Sequence, residues 1–122
     1  MKLMFLLLLA PLTAAAQPNS MAEVQVKEPY HYFGTVKPLK KLFHKFVLIN
    51  SGKTDVIIYS VSATCGCTTT RFDKVIPPGH KGLIEVEFQP PEVTGRVKRY
   101  LIVATNTPVN FIQLTIEANI QL

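Results

Sequence analysis

The sequence of 122 residues predicts an all-β domain. Short segments alternate apolar and polar residues with a period of two, as half-buried strands do. Gly, Pro and Asn cluster between these segments, and no window of eleven or more residues has helical periodicity. About seven to eight short strands in about a hundred residues are typical of an immunoglobulin-like sandwich of two antiparallel sheets. A small closed barrel is the alternative.

The N-terminal residues 1–16 have the pattern of a cleaved signal peptide. Lys2 forms a short positive region, and an apolar run follows it from Leu3 to Leu9. This run is shorter than the ~20 residues that span a bilayer. Small residues precede a cleavage site between Ala16 and Gln17. We therefore expect a flexible leader at 17–21, a domain at 22–122, no transmembrane segment after cleavage, and a periplasmic or secreted location.

The first two strands are predicted on either side of Pro29. Residues Ala22–Glu28 alternate apolar and polar, and Pro29 ends that pattern. The segment Tyr30–Val36 continues along an extended, aromatic-rich path. Gly34 within it predicts a bulge, because a glycine inside a strand often marks one.

The middle of the chain contains the strongest strand prediction. Residues Leu42–Asn50 alternate throughout, and Leu42, His44, Phe46 and Leu48 share one face. Asn50–Lys53 is predicted as a turn whose Asn and Gly tolerate positive φ. Residues Val56–Val61 are β-branched and apolar, which favours a central strand. That strand leads into a cysteine motif, after which threonines continue in strand-favouring residues to Phe72.

Three segments complete the predicted sandwich. The loop Ile76–Gly82 contains a tight turn at Pro78 and Gly79. The strand Leu83–Phe88 that follows alternates strictly, and a long strand runs from Gly95 to Thr105. A last strand is predicted at Phe111–Ala118. The alternation assigns these side chains to the core: Ile84, Val86, Phe88, Leu114 and Ile116. It places Val97, Leu101 and Val103 together on one face of the long strand.

Composition argues against nucleic-acid binding and against the common enzyme classes. The thirteen Lys and Arg residues exceed the eight acidic residues only modestly, and they are scattered rather than clustered. The chain has no tryptophan, no phosphate-binding glycine loop and no Gly-x-Ser-x-Gly motif. Glu85 and Glu87 lie on one strand face, where a solvent-facing role is the simpler interpretation. The sequence therefore predicts a protein that is not an enzyme.

The candidate site is Cys65-Gly66-Cys67-Thr68, which holds both cysteines of the chain. The Cα atoms of residues i and i+2 lie about 5.5–7 Å apart, which overlaps the disulfide range of about 4.4–6.8 Å. Gly66 offers the backbone freedom that so small a ring needs. Such a bond closes almost no loop, so it adds little stability. Its strain makes it easily reduced, which would suit redox chemistry.

Two other interpretations of the pair stay open. Cys65 and Cys67 could bind a soft metal such as Cu(I) or Zn(II), with His31, His44 and His80 as the remaining candidate ligands. They could instead be small residues that fill a corner of the fold, since free cysteines bury readily. A thioredoxin-type motif needs two intervening residues and a helix N-terminus, whereas this motif has one and no predicted helix.

Several motifs together resemble one bacterial family, the domain of unknown function 1573. The most specific of them is Cys65-Gly66-Cys67-Thr68. The others are Phe33-Gly34-Thr35-Val36, Phe46-x-Leu48-x-Asn50-x-Gly52-Lys53, Ile76-Pro77-Pro78-Gly79, Ile84-x-Val86-x-Phe88, and Gly95 leading to Leu101-x-Val103-x-Thr105-Asn106.

The resemblance implies an immunoglobulin-like domain of the hydin type, exported by Gram-negative bacteria of the Bacteroidetes kind. It implies no activity, because the family has none assigned. We therefore expect a non-catalytic binding or structural module whose partner is a protein or envelope component, with no required cofactor. The alternative is a periplasmic thiol-redox or Cu/Zn-handling protein that uses Cys65 and Cys67.

Overall fold

The computed structural model describes residues 22–64 and 66–122, and these residues form nine strands and no helix. The predicted signal peptide and leader lie outside the described residues. No described segment forms a helix with the length and apolarity that a membrane crossing requires. The strands are β1 (Val24–Val26), β2 (Tyr30–Val36), β3 (Leu42–Asn50), β4 (Val56–Ala63), β5 (Cys67–Phe72), β6 (Val75–Ile76), β7 (Lys81–Phe88), β8 (Gly95–Thr105) and β9 (Phe111–Ile120).

The strands form two sheets, which confirms the predicted sandwich. Sheet A has the order β1-β3-β7-β5, and sheet B has the order β2-β9-β8-β4-β6. Most neighbouring strands are antiparallel, as predicted. The pairing of β2 with β9 is parallel, with Tyr30 opposite Thr115 and Val36 opposite Ile120. The alternation pattern did not reveal this pairing, because it assigns side chains to the two faces of a strand. It does not indicate which strands lie next to each other in a sheet.

The core lies between the sheets and includes the side chains that the alternation assigned to it. Ile84, Val86 and Phe88 of β7 are fully buried, and so are Leu114 and Ile116 of β9. The core also contains the following residues: Phe46, Leu48, Val56, Ile58, Ile76, Leu101, Val103 and Ala118. Burial of apolar area is the dominant favourable term in folding, so this cluster is the main source of stability.

The chain changes sheet early, between β1 and β2. The short strand β1 pairs with the last residues of β3, and Pro29 then separates it from β2 in sheet B. The bulge predicted at Gly34 is present: the register with β9 shifts between Tyr32 and Thr35, and Gly34 has a φ of 84°. Only glycine takes such a φ without strain.

The turn after β3 is stabilised by side-chain hydrogen bonds of Asn50 and contains no positive φ at Asn50 or Gly52. The expectation that these two residues supply positive φ was therefore wrong. The buried Asn50 amide instead donates to the carbonyls of Thr54 (2.8 Å) and Ile76 (2.7 Å). Its side-chain oxygen accepts from the Gly52 N–H at 2.8 Å. Asn50 therefore ties the turn to the loop before β7.

That loop is more ordered than the sequence predicted. Its first residue belongs to the two-residue strand β6, and Ile76 is buried there against Gly82. A Cβ atom on Gly82 would collide with the Ile76 side chain. The predicted turn is confirmed, because Gly79 has a φ of 78° and the His80 N–H donates to the Pro77 carbonyl at 3.0 Å.

Candidate functional site

The cysteine motif lies at the corner where the chain passes from β4 in sheet B to β5 in sheet A. The Thr64 N–H donates to the Tyr100 carbonyl at 3.0 Å, which fixes the end of β4. The Cys67 N–H donates to the Thr64 carbonyl at 3.2 Å, and the Gln89 N–H donates to the Gly66 carbonyl at 3.2 Å. These bonds attach the corner to strands of both sheets.

Gly66 has a backbone conformation that other residues rarely adopt. Its φ is 92°, and a Cβ atom built on it would lie 3.4 Å from Arg99 Nε and 3.7 Å from a Phe88 ring carbon. A side chain here would be strained by its φ and would crowd both neighbours. Glycine is therefore required between the two cysteines for structural reasons alone.

The Cys67 thiol is half-buried against the edge of the core. The residue pairs with Phe88 across β5 and β7. Burial raises the pKa of the Cys67 thiol to about 11, although the positive charge of Arg99 acts in the opposite direction. Because the thiolate is the nucleophile and the metal ligand, Cys67 is poorly suited to either role at neutral pH.

Part of the motif lies outside the described residues, namely Cys65 and the side chain of Thr68. Cys67 forms no disulfide with any described residue. The Cys65–Cys67 disulfide, the redox role and the metal role therefore stay predictions.

A shallow cavity of about 380 Å³ lies beside Cys67. One wall is Leu39, an exposed residue with a φ of 63° whose N–H donates to the Pro90 carbonyl at 2.7 Å. The rest of the lining comes from Gly66, Glu87, Gln89 and Pro91. The cavity leaves the corner beside Cys67 open to solvent.

Two of the candidate metal-binding histidines stack on each other between the sheets. The His31 and His44 rings have centroids 3.7 Å apart and planes 13° apart. Phe33 and Phe46 contact these rings edge-on, at 4.7 Å and 4.6 Å respectively. Burial lowers the pKa of both histidines, the charge of His31 lowers that of His44 further, and the carboxylate of Glu28 partly offsets both shifts.

The histidines do not gather around Cys67. His44 belongs to β3, on the far side of β7 from β5. His80 precedes β7, whereas Cys67 pairs with Phe88 at its other end, more than about 20 Å along the strand. Within the described ranges, no three His, Cys, Asp or Glu residues are close enough to hold a metal ion.

The outer face of sheet B carries a polar network that sequence reasoning missed. The carboxylate of Glu117, only 8% exposed, accepts hydrogen bonds from the Tyr30 hydroxyl and from Arg96 at 2.8 Å. The Arg96 guanidinium also lies over the Tyr32 ring, 4.7 Å from its centroid. The Tyr30 hydrogen bond and then Arg96 lower the pKa of Glu117, and the same hydrogen bond raises the pKa of Tyr30.

This network joins β2, β8 and β9. Its two hydrogen bonds connect residues that are distant in sequence: Tyr30 and Glu117 are separated by 87 positions, and Arg96 and Glu117 by 21. The signal that could have found it is a charged residue, Glu117, in an apolar last strand. By contrast, Glu85 and Glu87 behave as predicted. Both lie on the outer face of β7, where they form ion pairs with Arg71 (3.9 Å) and Lys41 (3.7 Å).

The fold defines the class of protein as an immunoglobulin-like sandwich of two sheets. The chain is similar to the seventh PapD-like (ASH) domain of human CEP192, at 14% identity, a TM-score of 0.65 and 93% coverage of each chain. It is also similar to a protein of unknown function from Porphyromonas gingivalis W83, at 14% identity and a TM-score of 0.72.

Another similar structure is the secreted serine protease VesC from Vibrio cholerae, at 14% identity and a TM-score of 0.63. The alignment with the Porphyromonas protein covers 86% of this chain but 50% of that protein. The alignment with VesC covers 81% of this chain but 23% of the protease. The chain therefore corresponds to only part of each of these two proteins. At such identities the likeness shows the fold alone.

The particular family is the one that the motifs resemble. The family described as "Protein of unknown function (DUF1573)" matches residues 24–120, nearly the whole described domain, and the chain belongs to it. No curated protein matches the chain at a significant level.

Proposed function

We propose that this protein is an exported, non-catalytic immunoglobulin-like module that binds a protein or envelope partner. The observation that carries the proposal is the incomplete pairing at the sheet edges. β1 covers only the last three residues of β3, and β6 pairs with only two residues of β4. Exposed strand edges are established acceptors of a partner strand.

Export is supported by the residues before the domain. The positive Lys2, the apolar run and the small residues up to Ala16 together form a signal-peptide pattern. We infer cleavage before Gln17 and a periplasmic or secreted location. In an oxidising compartment accessible thiols tend to pair, which keeps a Cys65–Cys67 disulfide as a prediction.

The non-catalytic role is supported by the state of the reactive groups. As a free thiol, Cys67 would keep its proton at neutral pH, because burial raises its pKa to about 11. His31 and His44 stack on each other inside the sandwich and have no described nucleophile beside them. Neither arrangement provides the activated nucleophile and adjacent base that covalent catalysis needs.

The purified mature protein, immobilised on a resin, tests this proposal against an envelope extract. We expect it to retain a specific partner, and we expect a Cys65→Ser/Cys67→Ser variant to retain the same partner. The competing thiol role predicts the opposite: the wild type turns over disulfide substrates or binds Cu(I), and the serine variant does neither. Thiol turnover without a recovered partner would overturn the proposal.

A further inference from the structure

We propose that the open edge of β3, defined by Phe43, Lys45 and Val47, binds an extended segment with alternating acidic and apolar side chains. This inference rests on the proposed binding function and names its surface and the chemistry of the partner. The incoming segment would pair with β3 as an additional strand of sheet A.

The backbone of β3 is unpaired along this edge. β1 pairs with Leu48–Asn50 only. The Ser51 N–H donates to the Glu23 carbonyl at 2.9 Å, so the odd-numbered residues of this segment direct their backbone groups toward the β1 side. Phe43, Lys45 and Val47 therefore point their N–H and C=O groups at the same edge. Lys27, the residue after β1, lies opposite Val47, and no described strand lies beside Phe43 and Lys45 on that edge.

The described residues around β1 leave the first half of β3 uncovered. β1 is antiparallel to β3 and ends at Val26, and the chain then crosses through Pro29 into sheet B. Glu23, just before β1, accepts from the Ser51 N–H and so lies beyond Asn50, away from the open half of β3. Among the described residues, the edge at Phe43 and Lys45 has no partner strand.

The charge around the edge selects an acidic segment. A cavity of about 200 Å³ runs beside it, with lysines at positions 27, 45 and 81 in its lining and Glu28 as the one acid among its lining residues. None of Lys27, Lys45 and Lys81 forms an ion pair within the part of the chain that the structure describes. Opposite charges across neighbouring strands stabilise the pair.

On its other edge, β3 already pairs with a strand that has this alternation of acidic and apolar residues. There β7 places Glu85 opposite Lys45 and Glu87 opposite Phe43, while its intervening apolar residues face the core. A partner with the same alternation would set its acids beside Lys45. Its apolar side chains would lie over His44 and Phe46, which line the cavity.

The charge of Lys45 at the edge favours a different protein over a second copy. If two copies paired through β3 in antiparallel fashion, each would bring a Lys45-bearing edge against the same edge of the other. Like charges across a strand pair are destabilising.

Fluorescence titration of the purified protein with three labelled peptides tests the inference. The first peptide alternates Val and Glu, the second alternates Val and Lys, and the third is the Val/Glu peptide with N-methyl groups on one edge. We expect the first to bind more tightly than either of the others by about tenfold or more, because the second reverses the charge and the third lacks main-chain donors. Equal binding of the first and third peptides would reduce the contact to electrostatics and overturn strand addition.

Variants of the protein locate the surface. We expect Lys45→Glu to weaken binding of the Val/Glu peptide by about tenfold or more, and the matched control Lys53→Glu, in the turn after β3, to leave it unchanged. Lys45→Pro should abolish binding while sheet A persists, because an edge strand tolerates proline where its N–H faces solvent. An unchanged circular dichroism spectrum and melting temperature verify the fold. Unchanged binding by Lys45→Glu would overturn the inference.

Two further outcomes separate this inference from the proposed function. If the envelope partner is recovered equally by the wild type and by Lys45→Glu, the binding function stands and the β3 surface is wrong. If sedimentation shows a dimer that Lys45→Glu disrupts, the occupant of the edge is a second copy, and the acidic segment is wrong.

Discussion

The two faces of β2 handle titratable groups in opposite ways. On the outer face, Tyr30 and Tyr32 help to hold the ionised Glu117 and Arg96 in a network of hydrogen bonds and a cation–π contact. On the inner face, His31 stacks on His44, and burial lowers the pKa of both rings. The outer face of β2 thus stabilises charged side chains, whereas the inner face favours the neutral form of its histidines.

The difference shows that two surroundings lower a pKa through different physical causes. Tyr30, His31 and Tyr32 alternate between the two faces of β2, and each face meets groups from other strands. The outer carboxylate gains hydrogen bonds to its charged form, which lowers its pKa. The inner imidazoles lose hydration, which favours their neutral form. Four substitutions test this contrast, beginning with the largest expected effect.

Phe88→Ala should destabilise the packing against the inner face of β2. The Phe88 ring is fully buried and lies 6.1 Å from the Phe33 ring, centroid to centroid. Its loss leaves a cavity, so we expect the free energy of unfolding to fall by about 3–5 kcal/mol, measured by urea denaturation. The matched control is Phe111→Ala, since Phe111 is 62% exposed. An equal loss in both variants would show that the inner face is no more important than the surface.

His44→Phe should flatten the response to mild acid. Because the folded-state pKa of His31 and His44 is below the ordinary 6.5, their contribution to stability is complete above pH 6.5 and is lost as the pH falls through the folded-state pKa. His44→Phe keeps a ring in the stack but removes one titrating group and its repulsion from His31. Thermal melts between pH 8 and 5 (about the range of imidazole titration) should therefore depend less on pH in this variant. The control His80→Gln, in an exposed loop, should keep the wild-type profile, and a profile unchanged by His44→Phe would contradict the assignment.

Glu117→Gln should remove a stability change that occurs at lower pH. The pKa of Glu117 is below its ordinary 4.5, so its contribution is complete above that value and is lost as the pH falls through the folded-state pKa. The glutamine variant should lose this acid-dependent part while it keeps the histidine-dependent part. Glu87→Gln, on the exposed face of β7, is the matched control. Should both variants give the same acid profile, the network on sheet B would have no special role.

Tyr30→Phe should have the smallest effect and sharpen the contrast most. The substitution removes only the hydroxyl that donates to Glu117. Because that hydrogen bond is the first cause of the lowered carboxyl pKa, the pKa of Glu117 should rise, as measured by NMR of the side-chain carboxyl group. Tyr32→Phe keeps the ring below Arg96 and should leave the carboxyl titration unchanged. A shift in both variants would mean that the rings, rather than the hydroxyl, control Glu117.

The sequence was sufficient to predict most of the strands and part of the core. Residues such as Ile84 and Leu114 were assigned to the interior by alternation alone, and both are fully buried. Alternation could not supply the neighbours of each strand. The parallel β2–β9 pair and the two-residue β6 were therefore missed, and so was the stack of His31 on His44, which comes from opposite sheets.

The candidate site was located by the sequence but its chemistry was not. The prediction placed the cysteine motif directly after a middle strand, and the structure places Cys67 at the start of β5 after β4. The high thiol pKa comes from burial at the core edge, and Arg99, which lies on a different strand, opposes it. Such long-range neighbours are invisible in a local motif.

The parallel pairing of β2 with β9 has a mechanical consequence. If the molecule is pulled at Tyr30 and at Ile120, the two strands are loaded in opposite directions along their length. The hydrogen bonds between them then bear the tension in shear, all at once. The β8–β9 hairpin, if pulled apart at its open end, would instead unzip one bond at a time. Force along that axis should meet the stiffest response that this domain can give.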